Sequence, residues 1–269
     1  MKNAQNFKEK SLGERTKTML KVDFRRMLKS KTFYIIIAAA LVLPIIMTVM
    51  MSIMDGSVSV NPQTGEETVI RGPENAWQNI GTLPGGENMG GTEIFAMCNV
   101  NMAFMGVAVF VCLFISDDFR SGYAKNLFSV RAKRGEYVIS KTLTGFVCGA
   151  LMLAAYFIGS MLGGIISGLS FSLMGLNAGN IIMCLLAKIF LMLVFVSIFV
   201  LVSIAAKQRA WLSITGSLGG GMLLFMTVSL ISPLNSTPVN VLLCAVGGAL
   251  FAIGLGFASR AVLNKTSLV

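Results

Sequence analysis

The sequence predicts an all-α integral membrane protein: six transmembrane helices with the N and C termini cytoplasmic, preceded by an amphipathic interfacial helix. Three observations carry that expectation. Hydrophobic residues make up 55% of the 269 and charged residues only 13%, with a mean hydropathy of +0.76, where a soluble domain carries about a quarter charged residues. So few charges cannot clothe a surface in water, which excludes soluble enzymes and disordered tails. The apolar runs come in lengths that fit a hydrocarbon core of about 30 Å, singly or in pairs. Finally, the net charge of +10 is gathered into alternate connections between those runs, as the positive-inside rule requires.

The first segment, 1–32, is basic. Ser11-Leu12-Gly13-Glu14 reads as a capping box opening a helix. On a helical wheel Leu12, Met19, Leu20, Phe24, Met27 and Leu28 share one side, and Glu14, Lys21, Arg25 and Lys29 the other. Such a helix is expected to lie along the inner membrane surface. A secretory signal is not expected: the basic part is long and no A-x-A site follows.

The transmembrane domain is expected over 33–258. Phe33 to Met54 gives one span, with Pro44 a kink, and Ile94 to Ile115 a second. From Thr142 to Ala187 there is no charge. One helix of that length would run about 69 Å, more than twice the core, so the run must turn back. The Gly/Ser/Asn-rich stretch from Gly168 to Asn180 marks the turn. Ala210 to Ser259 is likewise uncharged and turns at Ser232-Pro233 and Asn235-Ser236-Thr237-Pro238. The spans are thus expected near 33–54, 94–115, 143–168, 181–205, 211–232 and 239–258, with an outer loop over 55–92, an inner loop over 116–141 and a tail over 259–269. Twenty basic residues fall on the inner face. Arg71 stands alone on the other, beside Asp55, Glu66, Glu67, Glu74 and Glu87. Topology therefore explains the charge, and no nucleic acid is needed as a partner.

Chemistry is thinly represented. There is no histidine, which removes the commonest acid–base catalyst and imidazole metal ligands. The five cysteines, Cys98, Cys112, Cys148, Cys184 and Cys244, lack C-x-x-C spacing and lie in apolar runs, so plain packing is expected of them. No phosphate loop occurs, and no carboxylate lies inside a span. Neither catalytic nor metal residues are expected.

The informative segment is the inner loop. It reads Asp117-Asp118-Phe119-Arg120-Ser121-Gly122-Tyr123-Ala124-Lys125-Asn126-Leu127-Phe128-Ser129, then Arg134, Tyr137 and Lys141 at intervals. This resembles the permease subunits of type 2 ATP-binding-cassette exporters. Those show an acidic residue, R-x-G, a short helix ending N-L-(L/F)-(S/T), and R-x-x-Y-x-x-x-K entering the third span. Between spans five and six the family usually carries a longer linker, where this chain has a tight proline-bounded turn. The resemblance implies an exporter permease in a bacterial cytoplasmic membrane, paired with a second permease copy and with ATPase subunits. ATP and Mg would be bound on that partner, with no cofactor on this chain. The cargo would be hydrophobic or amphipathic, a drug or an antimicrobial peptide, moved outward by alternating access.

On that reading the loop is a coupling element. Tyr123, Leu127 and Phe128 are its apolar face, buried only in the assembled complex, with Arg120 and Lys125 at the rim and Gly122 and Asn126 matching the family pattern. Two other classes remain open: a non-transporting scaffold or sensor partner, and a lipid-modifying membrane enzyme using the paired acids Asp117 and Asp118. Within the spans, Lys188 either lines a substrate path or snorkels to the outer surface. Asn99 and Asn101, expected in span two, either face that path or bond between helices. The glycine pairs Gly145/Gly149, Gly159/Gly163, Gly164/Gly168 and Gly216/Gly220 serve packing inside the bundle or a dimer seam. Trp77 belongs to a loop folded over the outer mouth or is an interfacial anchor.

Overall fold

The computed structural model describes residues 12–60, 67–69, 72–81, 99–130, 133–173 and 175–265. Ser11 of the expected capping box, Lys2, Lys8 and Lys10, half of the outer-loop charges (Glu66, Arg71, Glu87), Cys98, residues 131–132 and the last residues of the tail lie outside that set. The chain folds as α1 (Leu12–Lys29), α2 (Lys31–Ile53), a two-stranded antiparallel hairpin of β1 (Val58–Val60) and β2 (Glu67–Val69), a short 3-10 helix (Ala76–Asn79), α3 (Met102–Arg120), α4 (Tyr123–Val130), α5 (Arg134–Ile166), α6 (Ala178–Ala206), α7 (Ala210–Ile231) and α8 (Pro238–Lys265).

Among the described residues, α2, α3, α5, α6 and α8 are long and apolar enough to cross a membrane, while the apolar stretch Ala210–Phe225 of α7 is shorter. The turn signals were legible. α5 ends two residues before Gly168, whose backbone takes the left-handed conformation (φ 67°) that closes a helix. Pro238 is the first residue of α8, where its missing N–H costs nothing.

The second span departs from expectation. Residues 94–98 lie outside the described set, and Asn99 and Asn101 sit in the turn before α3 rather than inside a helix. The cause is local: the Asn99 side-chain oxygen accepts the Asn101 backbone N–H (2.9 Å), an Asx turn that competes with the helix.

α6 is the hub, packed on α3, α5, α7 and α8. Its apolar stretch is 56% buried, against 11% for α8, so α8 turns most of its surface outward. Phe104 of α3 meets Phe195 of α6 with ring centroids 4.6 Å apart. α2 lies against α5 at the Gly159/Gly163 pair: a Cβ on Gly159 would run into the Leu41 carbonyl and come within 2.7 Å of the Pro44 ring. That pair therefore serves close packing inside the chain.

Loop contacts define two ends of the bundle. At one, α1, α4 and the start of α5 gather, and Arg134 donates to Asn264 of α8 (3.1 Å). At the other, the segment 72–81 folds inward. Ala76 and Ile80 are buried, Asn75 donates to the Ser172 carbonyl (2.7 Å), and the Trp77 indole N–H donates to the Phe171 carbonyl (3.1 Å). Of the two alternatives for Trp77, the folded loop is the one observed among the described residues.

Candidate functional site

α5 has 33 residues, about 50 Å by helix rise, against about 30 Å of hydrocarbon. Its uncharged part begins at Thr142, so the end that projects carries Glu136, Tyr137, Ser140 and Lys141. α1 packs on that projection. Met19, Asp23 and Met27, spaced by four, form its buried stripe, which places a carboxylate in the middle of an apolar face.

Asp23 finds its partners on α5. Lys141 Nζ lies 2.7 Å from Asp23 Oδ1 and 2.7 Å from Asp118 Oδ2 of α3. Ser140 Oγ donates to Asp23 Oδ2 (2.6 Å) and the Tyr137 hydroxyl to Asp118 Oδ2 (2.9 Å). Arg26 of α1 reaches Asp118 Oδ1 at 2.7 Å. Two acids and two bases from three helices thus balance to zero charge in one cluster, buried except at half-exposed Arg26. A second pair, Arg15 Nε to Glu136 Oε1 at 3.2 Å, adds to the α1–α5 seam. Burial opposes the charge of Arg26, but Asp118 and then Asp23 outweigh it and hold the guanidinium above its ordinary pKa. The cluster is worth little as net stability, because desolvation offsets attraction. What it fixes is register, since removing one partner strands the others.

α4 hangs from this cluster. Gly122 between α3 and α4 has φ 74°, a left-handed turn that glycine adopts without strain. The turn brings Tyr123 under Arg26, with the guanidinium carbon 4.3 Å from the ring centroid, a cation–π contact. Burial, then the nearby Asp23 carboxylate, push the Tyr123 phenol up from its usual range.

The structure corrects the expected face of this element. Leu127 and Phe128 are half-buried and pack on the core, Phe128 edge-on to Tyr137 with ring centroids 5.3 Å apart. They do not wait for a partner to be covered. The outward face is polar instead: Arg120, Lys125, Asn126 and Ser129 are exposed. The paired acids also part company. Asp117 is exposed, while Asp118 is buried and held by Lys141, Arg26 and Tyr137, so these two do not act as a pair.

Near the other end Lys188 is fully buried and does not snorkel. Its Nζ donates to Asn101 Oδ1 (2.7 Å) and Ser232 Oγ (3.1 Å), and Asn101 Nδ2 donates to Ser229 Oγ (3.1 Å). Asn101 thus bonds between helices, while the buried Asn99 Nδ2 has no acceptor among the described residues. The structure brings Asn101 and Lys188 together from positions 87 residues apart.

Sequence reasoning missed Asp23, Arg26, Arg15 and Glu136. For Asp23 a signal existed in its spacing of four from Met19 and from Met27. For the others none did.

A family model described as ABC-2 family transporter protein matches residues 19–223, from α1 through most of α7. No curated protein and no solved structure matches the chain.

Proposed function

The chain belongs to the ABC-2 family of transporter proteins, and from that premise we propose that it is the membrane-spanning subunit of an ATP-driven exporter. It works with a second permease copy and with separate ATPase subunits that bind ATP and Mg. Six spans cross the cytoplasmic membrane of a bacterium, with α7 the sixth at about 33 Å. The end that carries α1 and α4 faces the cytoplasm by its basic charge. The cargo is hydrophobic or amphipathic, a drug or an antimicrobial peptide, and leaves by alternating access.

One observation carries the reading: α4 is a short helix with a polar outer face, fixed at its root to a charge-balanced joint of α1, α3 and α5. A permease without a nucleotide site must receive work from outside. A helix tied by Tyr123 and Arg26 to three others passes a push to the bundle rather than bending under it. The coupling face is Arg120, Lys125, Asn126 and Ser129, and Gly122, Tyr123, Leu127 and Phe128 are what anchors it.

The test is the double variant Lys125→Glu, Asn126→Asp, reconstituted with the ATPase subunits. Both side chains are exposed, so insertion and melting temperature stay at the parent's values. Cargo-stimulated ATP hydrolysis and export fall together by about tenfold or more, the scale of a lost interfacial charge contact. Lys133→Gln, outside α4, leaves both within about twofold. Parental coupling in the double variant would contradict the proposal.

A further inference from the structure

We propose that Lys188, Asn99, Asn101 and Ser232 form an anion-recognising subsite on the export path, taking the carboxylate or phosphate group of an amphipathic cargo; this rests on the permease reading above.

Among the described residues two lysines are fully buried, and the chain treats them differently. Lys141 has two carboxylates at 2.7 Å. Lys188 has, among the described residues, only neutral acceptors, the Asn101 amide oxygen and the Ser232 hydroxyl. An ammonium in a dry interior is costly unless paired. It offers three donors, of which two are used here. Two residues before Asn101 in the chain, the buried Asn99 Nδ2 has no acceptor among the described residues. Charge and spare donors without a carboxylate are what an incoming anion needs and what a cation would avoid.

The position fits passage. The cluster lies where the start of α3 and the end of α7 meet α6 about three turns inside that helix, on the side of the segment 72–81. That segment is held by the Val100 N–H to the Asn79 carbonyl (2.9 Å) and by packing of Gly81 on Leu234 and Cys184, where a Cβ would meet atoms at 3.3 and 3.4 Å. Ser229, bonded to Asn101, is itself only half-buried. In this state the segment 72–81 lies against the site, and outward opening would uncover it.

The test uses the full chain in its native membrane and three photoreactive twelve-carbon probes: a carboxylic acid, a phosphate monoester and an alcohol, each with and without ATP. Peptides containing Asn99 to Asn101 or Lys188 are expected to be labelled about tenfold more by one or both anions than by the alcohol, as a charge-assisted hydrogen bond implies. The acid and phosphate arms tell the two headgroups apart. Lys188→Met abolishes the preference and Lys188→Arg keeps it. Equal labelling by all three probes, or a preference that survives Lys188→Met, overturns the subsite. If Lys188→Met does not accumulate, the parent's ranking of the probes decides alone. ATP raising all three equally would sink the subsite and leave the permease reading standing. A preference for anions indifferent to ATP would do the reverse.

Discussion

The joint at the α1–α4 end and the Lys188 cluster at the other are both polar and largely buried, the first built from three helices and the second from α6 and the turns bordering α3 and α7, yet they are wired for different tasks. At the joint every charge has an opposite charge within 3 Å, supplied by Asp23, Arg26, Asp118 and Lys141. Around Lys188 the partners are an amide and a hydroxyl. A closed set of ion pairs resists being pulled apart, because any separation strands a charge. The Lys188 ammonium meets neutral acceptors only, and bonds of that kind can be exchanged for bonds to water or to an anion without stranding a second charge. The first is suited to transmitting a movement and the second to opening.

The largest expected effect tests the joint. Lys141→Met leaves Asp23 and Asp118 with Arg26 alone, and should lower unfolding stability by about 3–5 kcal/mol, read as a fall in melting temperature of the purified chain in detergent. Adding Asp23→Leu restores charge balance around Asp118 and Arg26 and should recover a large part of that loss. If the double variant is no better than the single, the cluster is not acting as one unit. Lys188→Met should cost less, about 1 kcal/mol: two hydrogen bonds disappear, but so does an ammonium without a counter-charge. A loss as large as that of Lys141→Met, in the same melting assay, would erase the contrast. The smallest effect is at the root of α4. Tyr123→Leu keeps an apolar body but removes the ring under Arg26, at about 1 kcal/mol or less. Its stronger signature should be in coupling, as ATP hydrolysis that continues while cargo export drops.

Much of the architecture could be read from the sequence, because its causes are local. A 30 Å slab dictates run lengths, and Gly168, Pro233 and Pro238 mark reversals that the structure places within a few residues. The beginning of α3 was misjudged for a reason equally local, the Asx turn at Asn99, which hydropathy does not see. The sites were legible in outline only. Gly122, Tyr123 and Lys188 stood out by motif or by isolation of charge. What Tyr123 touches depends on Arg26 of α1, nearly a hundred residues earlier. The Asp23–Lys141 pair is 118 residues apart, and a wheel drawn for hydrophobicity passes over a carboxylate among methionines. Leu127 and Phe128 were assigned to the wrong surface because an exposed-looking loop gave no hint that α5 projects far enough to cover them.

The central claim is that α4 meets the ATPase. A photocrosslinking amino acid placed at exposed Asn126, in cells carrying the full complex, should yield an adduct with an ATP-binding chain, and the same group at Leu173, on the opposite end, should not. An adduct from Leu173 with none from Asn126 would contradict the account.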